Sequence, residues 1–190
     1  GSVGFILMVV GLGYAFDWVS IAWLPWAVLA VMMGIAAFAR LIPEADILPH
    51  PTDHHSVWDI VNRPEVASLL AACLLMAVTH GPYYTFYSIY LEGFGYSKTT
   101  IGLLWAFAVL CEIGVFLLMQ RLLARVALRA VLIASFFLAA VRWLLIGHYP
   151  ESLPVLVLAQ TLHAATFGSF HATAMQLVHR FFTGKHQHRG

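Results

Sequence analysis

The stretch VALRAVLIASFFLAAVRWLLIG, residues 126–147, is apolar apart from Arg129 near its start, one serine, and Arg142 well inside it. A helix needs about 20 residues to cross the roughly 30 Å hydrocarbon core of a bilayer, so this run is long enough. A guanidinium within the hydrocarbon costs about 3 to 15 kcal/mol, depending on the reference state, and normally persists only where a solute or ion uses it. The run predicts a membrane helix with a functional arginine.

Composition indicates a membrane protein. The chain is 61% hydrophobic and 10% charged, against roughly 45–50% and 25% in soluble domains. Cys73 and Cys111 lie in apolar runs, where a thiol acts as a small hydrophobe and predicts no disulfide framework. The chain opens with Gly-Ser inside an apolar run, so we expect an internal piece of a larger protein without a signal peptide. We find no pattern for a phosphate loop, a nucleophile elbow, a cofactor or nucleic acid.

Six apolar segments predict six transmembrane helices and an all-α, polytopic membrane fold. Five of the segments have the required length, and the first is short. The segments are residues 3–16, 19–39, 66–90, 99–120, 126–147 and 153–178.

Basic residues concentrate on alternate loops. Of the ten Lys and Arg residues, eight fall on one set of helix ends, and only Lys98 falls on the other, with Arg142 within the membrane. The positive-inside rule then places the linker of residues 42–65 and the C-terminal tail in the cytoplasm, and we expect a multi-pass protein of the inner (cytoplasmic) membrane. The eight are Arg40, Arg63, Arg121, Arg125, Arg129, Arg180, Lys185 and Arg189.

The linker, residues 42–65, differs from the spans around it. It is rich in proline, acidic residues and histidine, which is typical of a solvated connector, with a short helix expected near residues 56–62. It separates two spans from four. Transporters are often built from repeated bundles, so this division suggests the end of one bundle and the start of another.

Polar residues of the last span share one helix face. Gln160, His163, Phe167 and His171 fall within an arc of about 80° at 100° per residue. A polar face of this kind packs against a partner helix or lines a water-filled cavity. Interhelical hydrogen bonding without any transport role is the alternative.

Two further candidates are the charged residues Glu112 and Arg142, which lie in neighbouring spans. Arg142 and His163 lie about 20 Å from the cytoplasmic boundary and Glu112 about 12 Å, at a rise of 1.5 Å per residue. Helix tilt and the reach of arginine allow an Arg142–Glu112 pair. This pair is either a proton or anion site or a structural ion pair that locks two helices together.

The third span contains Gly81-Pro82, which predicts an interrupted helix because proline removes a backbone donor. Interrupted helices at membrane depth often line binding sites. Tyr83, Tyr87 and Tyr90 share a face that suits an aromatic or sugar-like solute, and His80 and Tyr84 are further cavity candidates. For Tyr90, Phe94 and Tyr96 an interfacial aromatic belt is the alternative.

The linker also carries His50-x-x-x-His54-His55, a spacing found in membrane diiron enzymes. Such enzymes need about eight histidines in several boxes, and the one later candidate here is His186-x-His188. Prolines 49 and 51 fit a loose loop better than a ligand helix. We therefore expect that the protein binds no metal ion and is not an enzyme.

Three stretches taken together carry a resemblance: HGPYYTFYSIYLEGFGYS (residues 80–97), IGLLWAFAVLCEIGVF (101–116) and VRWLLIG (141–147). They resemble the phenylpropionic acid transporter group of the major facilitator superfamily, which is similar to lactose permease and the nucleoside–proton symporters. The resemblance covers roughly residues 64–190.

The resemblance implies a bundle of two six-helix halves and a protein that works as a monomer. Residues 1–41 would be the last two helices of the N-terminal half, residues 42–65 the linker, and residues 66–190 the first four helices of the C-terminal half. The implied cavity residues are His80, Tyr83 and Tyr84 on helix seven, Glu112 on helix eight, Arg142 on helix nine and His163 on helix ten.

Two positions depart from the family pattern. Thr166 stands where the sugar permeases have a carboxylate one turn after the helix-ten histidine, which leaves Glu112 as the one intramembrane acid. The loop after helix eight keeps its arginines but lacks the Gly and Asp of the superfamily signature.

The sequence thus predicts a fragment of a proton-coupled symporter of a small organic solute (aromatic acid, nucleoside or sugar-like) that works by alternating access. Glu112, Arg142 and His163 are the predicted coupling set. Alternatives are an efflux transporter, a histidine-box diiron enzyme, and a sensor that binds solute without transport. The predicted cavity set is His80, Tyr83, Tyr84, Tyr87, Gln160, Phe167 and His171.

If the linker is a connector only, replacing His50, His54 and His55 together by Ala should leave solute uptake by the intact protein within about twofold, a change well under 1 kcal/mol. Uptake rates at matched expression check this. A tenfold loss would restore the metal-site hypothesis.

Overall fold

A computed structural model describes residues 2–41 and 57–182 of the chain, and every regular element in those ranges is a helix. A 3₁₀ turn, Ile21–Trp23, precedes the second α-helix. The α-helices are α1 (Ser2–Trp18), α2 (Leu24–Ala39), α3 (Val57–Val61), α4 (Pro64–Gly93), α5 (Lys98–Leu123), α6 (Leu128–His148) and α7 (Leu153–Phe181).

The all-α membrane fold is confirmed. Within the described residues, five helical segments are long and apolar enough to cross a membrane, and α1 is a shorter apolar helix of 17 residues. The short helix expected before the third span is α3. His50, His54, His55, His186 and His188 lie outside the described residues.

The predicted interruption at Gly81-Pro82 is wrong. Helix α4 runs without a break from Pro64 to Gly93 with Pro82 in its interior. Proline lacks only its own amide hydrogen, so one hydrogen bond is lost, and membrane helices tolerate this where neighbouring groups compensate. The residues after Pro82 therefore stay in helical register, and Tyr83 and Tyr87 remain one turn apart on one face.

Helix α7 is the centre of the bundle. It packs against α5 and α6 and contacts α4, and its buried face carries polar residues as well as apolar ones. The apolar core of the described residues forms three clusters: one around Tyr83, Leu91 and Leu156, one around Leu69 and Phe170, and one around Ile60, Val66 and Phe182. The polar residues of α7 thus lie within a packed interior.

Helices α1 and α5 pack closely although the linker lies between them in sequence. Gly13 and Gly102 face one another at the crossing: a Cβ added at Gly13 would lie 2.7 Å from the carbonyl oxygen of Lys98 and 3.5 Å from Cα of Gly102. A Cβ at Gly102 would overlap the carbonyl oxygen of Val9. Small residues let membrane helices approach backbone to backbone, so this pair sets the helix separation.

Asp17 at the end of α1 caps the start of α5. Its carboxylate accepts hydrogen bonds from the amides of Lys98 (2.8 Å) and Thr99 (3.1 Å) and from the Thr99 hydroxyl. A carboxylate at a helix N-terminus is favoured by the unpaired amides and the helix dipole. The hydroxyl hydrogen bond from Thr99 is the main cause that lowers the pKa of Asp17 below its ordinary value.

Gly102→Ala should separate α1 from α5, because the new methyl group overlaps backbone that cannot rotate away. We expect a loss of roughly 1 to 3 kcal/mol of stability, as for other overpacked sites. Thermal unfolding of the intact protein in detergent measures it.

Gly114→Ala on the same helix is the matched control, since a Cβ there meets nothing within 4 Å. It should be neutral or slightly stabilising, because Ala favours helix more than Gly does. Equal melting temperatures for the two variants would show that the crossing tolerates a methyl group.

Candidate functional site

Three side chains from three helices form a continuous hydrogen-bonded chain. Nη1 of Arg142 on α6 lies 2.7 Å from Nδ1 of His163 on α7. Nε2 of the same imidazole lies 3.0 Å from Oε1 of Glu112 on α5. Depth along the helices allowed an Arg142–Glu112 pair; in the structure the imidazole lies between the two charges and links them.

The arginine determines which nitrogen of His163 carries the proton. A guanidinium can only donate hydrogen bonds, so Nδ1 of His163 must accept. Nε2 then carries the hydrogen and donates it to Glu112. While Arg142 donates to Nδ1, both ring nitrogens of His163 are engaged in hydrogen bonds.

Arg142 is fully buried and lies among aromatic rings. Its exposed fraction is 0%, and its guanidinium carbon lies 4.6 Å from the centre of the Tyr83 ring and 5.5 Å from that of Trp143. Cation–π contacts of this kind are worth up to about 2 kcal/mol when desolvated. The rings therefore offset part of the cost of burying the charge.

A second hydrogen-bonded group holds Tyr83 in place. The Tyr83 hydroxyl donates to Oε1 of Gln160 at 2.5 Å, and Nε2 of Gln160 donates to the Tyr87 hydroxyl at 2.8 Å. All three side chains are buried. Because α4 contributes both tyrosines and α7 the glutamine, this group ties the two helices together and orients the ring above Arg142.

A cavity of about 230 Å³ opens beside the carboxylate of Glu112. Its walls include His163 and the rings of Tyr84, Trp105 and Phe167. The Tyr84 and Trp105 rings stack at 5.9 Å with an interplanar angle of 16°. The polar end of the hydrogen-bonded chain thus meets an aromatic chamber large enough for a small solute.

His80 lines a second, mostly apolar cavity of about 500 Å³, to which Phe167 and His171 also contribute. Its Nδ1 lies 2.9 Å from the carbonyl oxygen of Met76, and its Nε2 has no hydrogen-bond partner among the described residues. His171 is exposed and lies 4.6 Å, ring centre to ring centre, from Phe167.

The structure divides the predicted site residues into three groups. Glu112, Arg142 and His163 form the charged chain, while Tyr83, Tyr87 and Gln160 form the buried group behind it. The remaining four, His80, Tyr84, Phe167 and His171, line the two cavities.

Sequence reasoning missed Trp105. It contacts the rings of Tyr83 and Tyr84, and its indole nitrogen donates to the Ser88 hydroxyl at 3.0 Å. A signal was present, because Trp105 stands seven residues before Glu112, two helical turns away on the same face of α5. In the ranges 2–41 and 57–182, no group of three His, Cys, Asp or Glu side chains is arranged to hold a metal ion.

An all-helical membrane bundle with a buried charged chain beside an aromatic cavity is the architecture of a membrane transporter. The chain belongs to the MFS_1 like family, of the major facilitator superfamily, whose sequence profile matches residues 1–190. The family points to a transporter rather than an enzyme.

A curated relative agrees with this class. The chain is 31% identical over 182 residues to the "Probable 3-phenylpropionic acid transporter" of Escherichia coli strain K12. The match covers 94% of this chain and 48% of the relative, so the chain spans about half the length of that protein. No solved structure gives a significant match.

Gln160→Leu should destabilise the bundle, because it leaves the hydroxyls of Tyr83 and Tyr87 without partners. Side-chain hydrogen bonds in membrane proteins average about 0.6 kcal/mol and reach roughly 1.7, so the two together should cost about 1 to 3 kcal/mol. Unfolding of the intact protein in mixed micelles measures the loss.

Thr161→Val is the control for this substitution. The Thr161 side chain is exposed and its hydroxyl donates only within its own helix, to Val157. The control should leave stability unchanged. A Gln160→Leu variant as stable as this control would mean that the two tyrosines are held by packing alone.

Proposed function

We propose that the chain is part of a proton-coupled symporter that moves a small aromatic carboxylic acid across the inner membrane by alternating access. The Arg142–His163–Glu112 chain is the observation that carries the proposal. It places a proton acceptor and a fixed cation in one buried hydrogen-bonded unit beside an aromatic cavity.

Glu112 is the proton-binding group in this proposal. Its side chain keeps 16% exposure, against 2% for His163, and it lines the cavity through which a proton would arrive. His163 is held neutral because Arg142 occupies Nδ1. A proton from the cavity therefore goes to the carboxylate, and the cation of Arg142 favours its release again.

The aromatic lining supports an aromatic solute. Tyr84, Trp105 and Phe167 present ring faces and edges to the cavity beside Glu112, and stacked or edge-to-face ring pairs are worth about 0.5–1.5 kcal/mol beyond the area they bury. The curated relative is named for 3-phenylpropionic acid, a molecule with one aromatic ring and one carboxylate.

The arrangement of the helices supports alternating access. In this proposal α1 and α2 are the last two helices of the N-terminal half and α4 to α7 the first four of the C-terminal half. The Gly13–Gly102 crossing is then a contact between halves, and the capped end of α5 lies at the outer face, opposite the arginine-rich cytoplasmic ends. Separation of the halves at this crossing would open the cavity outward.

Glu112→Gln in the intact protein should abolish proton-driven accumulation of the aromatic acid and leave exchange of labelled for unlabelled acid in place. The amide keeps the size of the side chain and its hydrogen bond from His163 but cannot carry a proton. Accumulation and exchange are measured in proteoliposomes with and without an imposed pH gradient, per folded molecule.

Glu92→Gln is the matched control. Glu92 pairs with Lys98 at 3.0 Å, and both side chains are partly exposed at the helix ends. This variant should accumulate solute as the parent does. Undiminished accumulation in Glu112→Gln would mean that the carboxylate has only a structural role.

A further inference from the structure

The guanidinium of Arg142 has one complete edge without a partner. Nη1 donates to His163, whereas Nε and Nη2 are buried and have no hydrogen-bond partner among the described residues. The Nε and Nη2 hydrogens point the same way, so together they form the side-on fork of the arginine. This fork matches the two oxygens of a carboxylate and binds them with two parallel hydrogen bonds.

An empty fork at this depth needs an explanation. Buried polar groups in native structures almost always have partners, and a buried charge without one is costly. In the spans that the structure describes, Glu112 is the one acid near Arg142, and it is reached only through His163. No carboxylate among the described residues reaches the fork directly.

We propose that the Nε/Nη2 fork of Arg142 is the anchor for the carboxylate of the transported solute. The proposal rests on the proposed function and names the protein atoms that would bind the carboxylate of the solute. The fork is closed to solvent in the described conformation, since Arg142 has no exposed surface. The solute carboxylate reaches it when the Tyr83 ring, 4.6 Å from the guanidinium carbon, or the arginine itself shifts.

This anchor links the proton to the solute. When Glu112 is ionised, it compensates the charge of Arg142 through His163. When Glu112 takes up a proton, the guanidinium loses that compensation, and an anion at the fork restores it. Proton binding and anion binding then favour each other reciprocally, as linkage requires. A neutral analogue of the solute gains nothing from the proton.

The test compares binding of 3-phenylpropionate with that of its neutral amide, by calorimetry on the intact protein in detergent. The parent should prefer the acid. Arg142→Lys keeps the positive charge but loses the fork, so affinity for the acid should fall about tenfold or more, as expected when a bidentate charge-assisted pair is lost. Affinity for the amide should change less than about twofold, so the preference for the acid disappears.

Arg129→Lys is the matched control, because Arg129 lies on the same helix and is exposed. It should leave both affinities unchanged. If Arg142→Lys does not fold, the double variant Arg142→Gln with Glu112→Gln removes both charges together and leaves no lone buried ion. It should bind acid and amide equally.

The outcomes separate the two proposals. A parent that binds the acid, with an unchanged preference in the folded arginine variants, overturns the fork assignment and leaves the symporter proposal standing. A parent that binds no aromatic carboxylate overturns both. Loss of the acid preference in the arginine variants, with accumulation still proton-driven in the Glu112→Gln protein, supports the fork and overturns the role of Glu112.

Discussion

The site depends on one buried cation. Arg142 lies at the centre of the α4–α7 bundle with no exposed surface, where an uncompensated charge would cost several kcal/mol. Its neighbours each offset part of that cost: the Tyr83 and Trp143 rings by their π-faces, the imidazole of His163 by accepting a hydrogen bond, and Glu112 by its charge one residue further away. Of the polar residues on the buried face of α7, His163 contacts the guanidinium and Gln160 holds the Tyr83 ring beside it.

His163 lies between Arg142 and Glu112 in the hydrogen-bonded unit, and this order has a chemical consequence. Because Arg142 donates to Nδ1 of the imidazole, Nδ1 must accept, and Nε2 carries the hydrogen and donates it to Glu112. The direction of both hydrogen bonds therefore follows from Arg142. With the imidazole between them, the two charges are linked through directed hydrogen bonds and are not in direct contact.

The contact between α1 and α5 depends on close backbone packing and a helix cap, and not on a buried charge. Gly13 and Gly102 bring backbone against backbone at the crossing, and the Asp17 carboxylate holds one end through the first amides of α5. Small residues at such a crossing let the two helix backbones approach closely, which is a common way for membrane helices to pack.

Much of this protein was predictable from its sequence, because the bilayer restricts what a sequence can do. Hydrocarbon thickness requires long apolar runs, so the spans can be read directly, and the cost of burying charge singles out Glu112, Arg142 and His163 within them. The helical arc also predicted that Gln160 and His163 share a face. The position of a residue along its helix does not determine the rotation or the tilt of that helix. Only the tertiary structure decided these two. These bring His163 between the two charges, turn Tyr83 inward and Tyr84 to the cavity, and place Trp105 beside both. The continuity of α4 through Pro82 was decided at the same level, since one missing hydrogen bond is a small loss for a helix that its neighbours already hold.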